Sequence, residues 1–108
     1  MATIYKVLGQ SAPGATSNTD LYTVPAATSA VCSTLSICNR GTSTTFRVAV
    51  RPAGAVLANQ HYIVHDAAVN QYDSIFLTLG VTLSATDIVT VYAGNANLSF
   101  SLFGSEIS

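Results

Sequence analysis

Charge is what this sequence has least of. Lys and Arg number four and Asp and Glu five, so 8% of the residues are charged and the net charge is −1. An ordinary soluble domain carries about 25% charged residues. Lys6, Arg40, Arg47 and Arg51 are too few to follow a phosphate backbone, which excludes nucleic acid as a partner. Tryptophan is absent altogether. No apolar run approaches the ~20 residues of a membrane-spanning helix. The opening Met1-Ala2-Thr3-Ile4-Tyr5-Lys6 has neither the basic segment nor the apolar stretch of a secretion signal. The expectation is a chain made in a cytoplasm, with no membrane partner.

Cysteine is scarce too. Cys32 and Cys38 fall in one expected strand, where six residues span about 20 Å. A disulfide needs Cα atoms within about 7 Å, so two free thiols acting as small apolar residues are expected. Catalytic patterns are missing. There is no G-x-S-x-G elbow and no glycine-rich phosphate loop. His61 and His65 would share one face of a helix, but in a strand they stand about 13 Å apart, too far for one metal. Asp20, Asp66, Asp73, Asp87 and Glu106 each fall near an expected turn or terminus, where carboxylates are solvated or cap the backbone. The chain reads as no enzyme, with no metal and no cofactor.

What the sequence does have is alternation. Phe46, Val48 and Val50 alternate with Arg47, Ala49 and Arg51. Leu98, Phe100 and Leu102 alternate with Asn97, Ser99 and Ser101. In the third strand Val31, Leu35 and Ile37 are expected on one face, and Cys32, Thr34, Ser36 and Cys38 on the other. A period of two marks strands with one buried face. Eight are expected, near Thr3–Leu8, Leu21–Val24, Ala30–Asn39, Thr44–Arg51, Tyr62–Asp66, Ser74–Leu79, Asp87–Ala93 and Leu98–Phe103. Asn39-Arg40-Gly41-Thr42 and Ala93-Gly94-Asn95-Ala96 read as hairpin turns. Short strands about ten residues apart imply an all-β, single-domain β-sandwich, jelly-roll or Ig-like, spanning 1–108. At 108 residues such a domain buries roughly 65% of its unfolded surface, so it needs no covalent or metal staple.

Residues 1–20 form an N-terminal strand followed by a flexible Ser/Thr/Ala/Gly-rich loop, Gln10–Asp20. That loop leaves two options open. The strand completes its own sheet, or it acts as an arm that reaches a neighbour's. Sparse charge lets surfaces approach closely, because interface cores are depleted of charge. Other copies of the same chain are therefore expected partners, giving a homo-oligomer. Arg47 and Arg51, outward on one strand, suit a carboxylate on a neighbouring subunit or stand solvated. With Tyr5, Val7 and Phe103 they are the candidate interface residues.

Leu21-Tyr22-Thr23-Val24-Pro25-Ala26-Ala27-Thr28, Ala30-Val31-Cys32-Ser33-Thr34-Leu35 and Thr45-Phe46-Arg47-Val48-Ala49-Val50-Arg51-Pro52-Ala53-Gly54 carry a further signal. With Leu57–Ile63, Leu79–Leu83 and Phe103–Ile107, they make the whole chain resemble small virion structural proteins of tailed bacteriophages, of the cyanophage and marine-phage type. The resemblance implies a place in the virion and a larger virion protein as partner. That partner is the major capsid protein if the chain is a decoration (cement) protein, or a tail or baseplate protein if it is a tail, baseplate or fibre component. It brings no catalytic residues. The rival from another class is a carbohydrate-binding β-sandwich for host attachment, which calls for an exposed aromatic cluster and usually tryptophan.

Overall fold

The computed structural model describes residues 2–108. Its strands are β1 (Thr3–Ser11), β2 (Asn18–Thr23), β3 (Ser29–Asn39), β4 (Thr44–Arg51), β5 (Tyr62–Val69), β6 (Ser74–Leu83), β7 (Ile88–Ala93) and β8 (Leu98–Ile107). All eight expected strands are present. Most run further than alternation alone indicated, β8 to Ile107 and β6 to Leu83. Two single 3₁₀ turns, Pro52–Gly54 and Asn59–His61, lie in the β4–β5 connection.

Two antiparallel four-stranded sheets face each other, in the orders β1-β8-β3-β6 and β2-β7-β4-β5. The pairs β1–β8, β2–β7, β3–β6 and β4–β5 trace one long antiparallel ribbon with its tip at β4–β5. The ribbon is rolled so that β8 also meets β3 and β7 also meets β4. This is the jelly roll, the first of the two sandwich types expected.

Only β4 and β5 are consecutive strands in one sheet; the other six connections cross from sheet to sheet. Asn39–Thr44 and Ala93–Leu98 are therefore corners between sheets, not the hairpins expected. Turn residues report that a chain reverses, not which strand it then pairs with. At the first corner Asn39 is buried. Its side-chain amide donates to the carbonyls of Thr42 at 2.8 Å, Asn70 at 3.1 Å and Val69 at 3.3 Å, while its Oδ1 accepts from Gly41 N–H at 3.0 Å.

The first strand completes its own sheet. β1 is laddered to β8, and Ala2 and Ser108 exchange both main-chain hydrogen bonds at 2.8 and 2.9 Å. The following loop is pinned where Thr16 N–H donates to Ala93 O at 2.8 Å. The arm is thus not the arrangement adopted, because β8 offers β1 a ladder along its length.

Phe46 and Phe100 meet edge to face at the sandwich centre, with ring centroids 6.2 Å apart. Leu35, Ile37, Val48, Val91, Leu98 and Leu102 enclose them. Each such side chain is worth about 1.5–3 kcal/mol on burial.

One irregularity crosses the first sheet. Beside β8, β1 carries an extra residue, Leu8, and β3 an extra residue, Ser33. A bulge moves the following side chains to the other face. Ala30 and Cys32 point inward before it and Leu35 and Ile37 after it, so Val31 lies outward. The expected face of Val31, Leu35 and Ile37 is thereby broken. Cys32 sits in the core, its thiol pushed up to about 11 by burial, while Cys38 is half-buried. Both thiols are free. At the bulge Gly104 touches β3 directly. A Cβ there would overlap the carbonyl of Val31 and lie 3.1 Å from Cys32 Cα.

Gly104→Ala is expected to cost about 2–3 kcal/mol in urea denaturation, since backbone must move to admit the methyl group. Gly80→Ala, with open space around it, is expected to be neutral or to gain up to about 1 kcal/mol. Cys32→Ser, which buries a hydroxyl among apolar groups, is expected to cost about 1–3 kcal/mol, and Cys38→Ser little.

Candidate interaction surface

The outer face of the first sheet carries a groove of about 600 Å³ across the bulge. Tyr5, Lys6 and Val7 of β1, Phe103, Gly104 and Ser105 of β8, and Val31 and Ser33 of β3 line it. Gly104 contributes only backbone to it, because β3 packs where its side chain would stand. Ser33, lifted out of the ladder, donates its hydroxyl to Phe103 O at 3.1 Å. Val7 lies opposite Phe103, and Tyr5 opposite Ser105. Tyr5 is 84% exposed. Three of the five candidate interface residues therefore meet on one apolar surface. Val31 was not among them, because unbroken alternation with Leu35 put it in the core.

The other two candidates lie on the opposite side of the molecule. Arg47 grips Asp66 with two hydrogen bonds, Nε to Oδ1 at 2.7 Å and Nη2 to Oδ2 at 3.3 Å. Its guanidinium also lies 4.4 Å from the Tyr92 ring centre. Asp66 reaches it from a bulge in β5, where its φ of 54° is left-handed. The hydrogen bond from Arg47 holds the Asp66 carboxyl below its usual range. Arg51 donates to Asp20 at 2.9 Å, Thr90 at 3.0 Å and Ala55 O at 3.1 Å. The charge-assisted contacts expected with a neighbour's carboxylate are made within the chain.

The carboxylates divide accordingly. Asp73 and Asp87 cap main-chain N–H groups, as expected of turn residues. Asp20 and Asp66 instead hold the arginines. Glu106 accepts from the hydroxyl of Tyr22 at 2.5 Å and from Lys6 Nζ at 3.3 Å. This cluster, unforeseen from spacing, joins β2, β8 and β1 beside the groove. Burial first, and then the Glu106 carboxylate, push the Tyr22 hydroxyl's ionisation well above the ordinary tyrosine range. The Tyr22 hydrogen bond is the main cause holding Glu106 low.

The two histidines make local contacts. His61 Nδ1 accepts from Ala58 N–H at 3.0 Å, and His65 packs edge-on against Tyr62 at 4.9 Å. Among the described residues no three His, Cys, Asp or Glu side chains converge on a metal position, and no helix is long and apolar enough to cross a membrane.

Tyr22→Phe is expected to cost about 1–2 kcal/mol at neutral pH, as a hydrogen bond to a carboxylate is lost. Because the folded-state pKa of Glu106 is depressed, its contribution is present above the unfolded value of about 4.3 and fades as pH falls through the folded one. Denaturation curves across that range should show the wild-type advantage over Glu106→Gln shrinking with acid. No protein-family model matches the chain, and no curated protein matches it.

Proposed function

We propose that the protein is a non-enzymatic structural component of a tailed-phage virion, a decoration or cement protein that stabilises the capsid shell. The observation that carries this reading is the largely apolar groove of Tyr5, Val7, Val31 and Phe103, edged by Lys6, on the outer face of the first sheet. The whole-chain resemblance to small phage structural proteins supports the particle as its setting. The jelly roll, used by viral capsid domains among others, is compatible by fold-level analogy only.

A cement protein acts by binding alone. It buries its own surface across neighbouring shell proteins and holds them together, so it needs anchors, rigidity and no reactive group. Aromatic anchors in well-packed pockets dominate such interfaces. Here Phe103 is the anchor, half-buried, opposite Val7 in the ladder and in the same groove as Val31. Lys6, the charge at the groove's edge, is paired with Glu106 of the same chain. The partner is the larger capsid protein, and the interface must bury at least about 1,000 Å² in total.

Cryo-EM of purified particles is the test of place. Density for the jelly roll on the shell, groove side down, is expected. Density at the tail or baseplate would replace the shell reading with the tail alternative, and absence from purified particles would remove both. Phe103→Ala should bind stripped shells at least tenfold more weakly in co-sedimentation while keeping its melting temperature within a few degrees.

A further inference from the structure

β1 is an edge strand, and its ladder with β8 shows which of its main-chain groups lack a partner. Ala2 and Ser108 form a hydrogen-bonded pair. In an antiparallel ladder such pairs alternate with non-bonded ones. Ile4 and Lys6 therefore also turn their N–H and C=O toward β8, opposite Glu106 and Gly104, and Thr3, Tyr5 and Val7 turn theirs outward to the open edge.

We infer that two copies of this chain join through β1, antiparallel about a two-fold axis at Tyr5, making one eight-stranded sheet across the dimer. The inference rests on ladder geometry and stands apart from the virion reading.

Four observations select this edge and this occupant. First, the run Thr3–Val7 is unbulged and ends where Leu8 breaks the register. Its centre is Tyr5, so a two-fold there pairs Tyr5 with the partner's Tyr5, and Thr3 with the partner's Val7. The three residues with outward main-chain groups are the three that bond.

Second, the register is electrostatically quiet. Lys6, the one charge on the run, falls opposite the partner's Ile4 rather than the partner's Lys6, and Glu106 of its own chain already neutralises it.

Third, the other edges are less suited. β2 is short, bulged and carries Asp20. β5 is bulged at His65 and Asp66. β6 offers Ser74–Thr78 but exposes only Phe76 as a large apolar side chain, whereas β1 exposes Ile4, Tyr5 and Val7. Edge strands that expose large apolar side chains are templates for pairing.

Fourth, a stable dimer needs about 1,000 Å² in total, about a tenth of each copy's 5433 Å² surface. Tyr5 alone contributes on the order of 150 Å² per copy. The strand backbones, Ile4, Val7 and the Lys6 stem lie along the same seam.

Light scattering on the purified protein should give twice the 11.2 kDa chain mass. Tyr5→Lys should give the single-chain mass, and an equimolar mixture with Tyr5→Glu should recover the doubled mass, because the axis sets the two side chains opposite each other. In a Cys38→Ser background, Tyr5→Cys should cross-link to a disulfide dimer on oxidation, since Cα atoms of a bonded pair lie about 5.5 Å apart. Phe76→Cys should not. A monomeric wild type, an odd-numbered assembly, a Tyr5→Lys chain that stays dimeric, or cross-linking through Phe76→Cys in place of Tyr5→Cys would each overturn the inference. The cross-link decides the matter if the charged variants fold poorly.

Discussion

The direct backbone contact of Gly104 with Val31 and Cys32 is the constraint on which the rest of this molecule depends. β8 passes unbulged between β1 and β3, and both neighbours absorb the mismatch with an extra residue. That step lets Cys32 and Leu35 both face the core although they are three apart in the chain. It puts Val31 on the surface, in the groove that Tyr5, Val7 and Phe103 also line. The groove follows from how the sheet closes its own packing.

Electrostatics then divide the two outer faces by chemistry. On the β2-β7-β4-β5 face, Arg47 and Arg51 are matched to Asp66 and Asp20, and the stems of these arginines cover Ala49, which points outward yet is buried. Exposed pairs of this kind add little to stability, but they leave that face with few unspent donors. On the other face, the groove offers mainly apolar side chains and main-chain groups, with Lys6 at its edge. A chain with so few charges can specify a partner through shape and strand register, which suits a protein that recurs at equivalent positions in an assembly.

The strands themselves were legible because alternation is local. Phe46 to Arg51 and Leu98 to Leu102 lie inward and outward as their pattern indicates. What was not legible depends on residues far apart in the chain. The jelly-roll order needs β1 to find β8 across nearly the whole sequence, and no turn residue records that. Asn39 shows the limit well. Its place before Arg40-Gly41 signals a reversal, but its three bonds to Thr42, Val69 and Asn70 carbonyls make the reversal a corner between sheets. The bulge was hidden for the same reason, since Ser33 is extra only relative to β8. Of the candidate surface, Tyr5, Val7 and Phe103 could be named in advance, while Val31 and Gly104 became visible only once the register was known. Arg47 and Arg51 were placed on the right face, but neither a neighbour's carboxylate nor solvent is what they meet, because the acids that bind them arrive from β5 and β2 of the same chain.

The central claim is that this protein works through the groove face of its first sheet. Radical footprinting of the chain on intact particles, against the free protein, tests it side chain by side chain. Phe103 should lose most of its oxidation on the particle, while Tyr62 and Tyr92, beside the paired arginines, keep theirs. Protection of Tyr62 and Tyr92 with Phe103 unchanged would contradict the account.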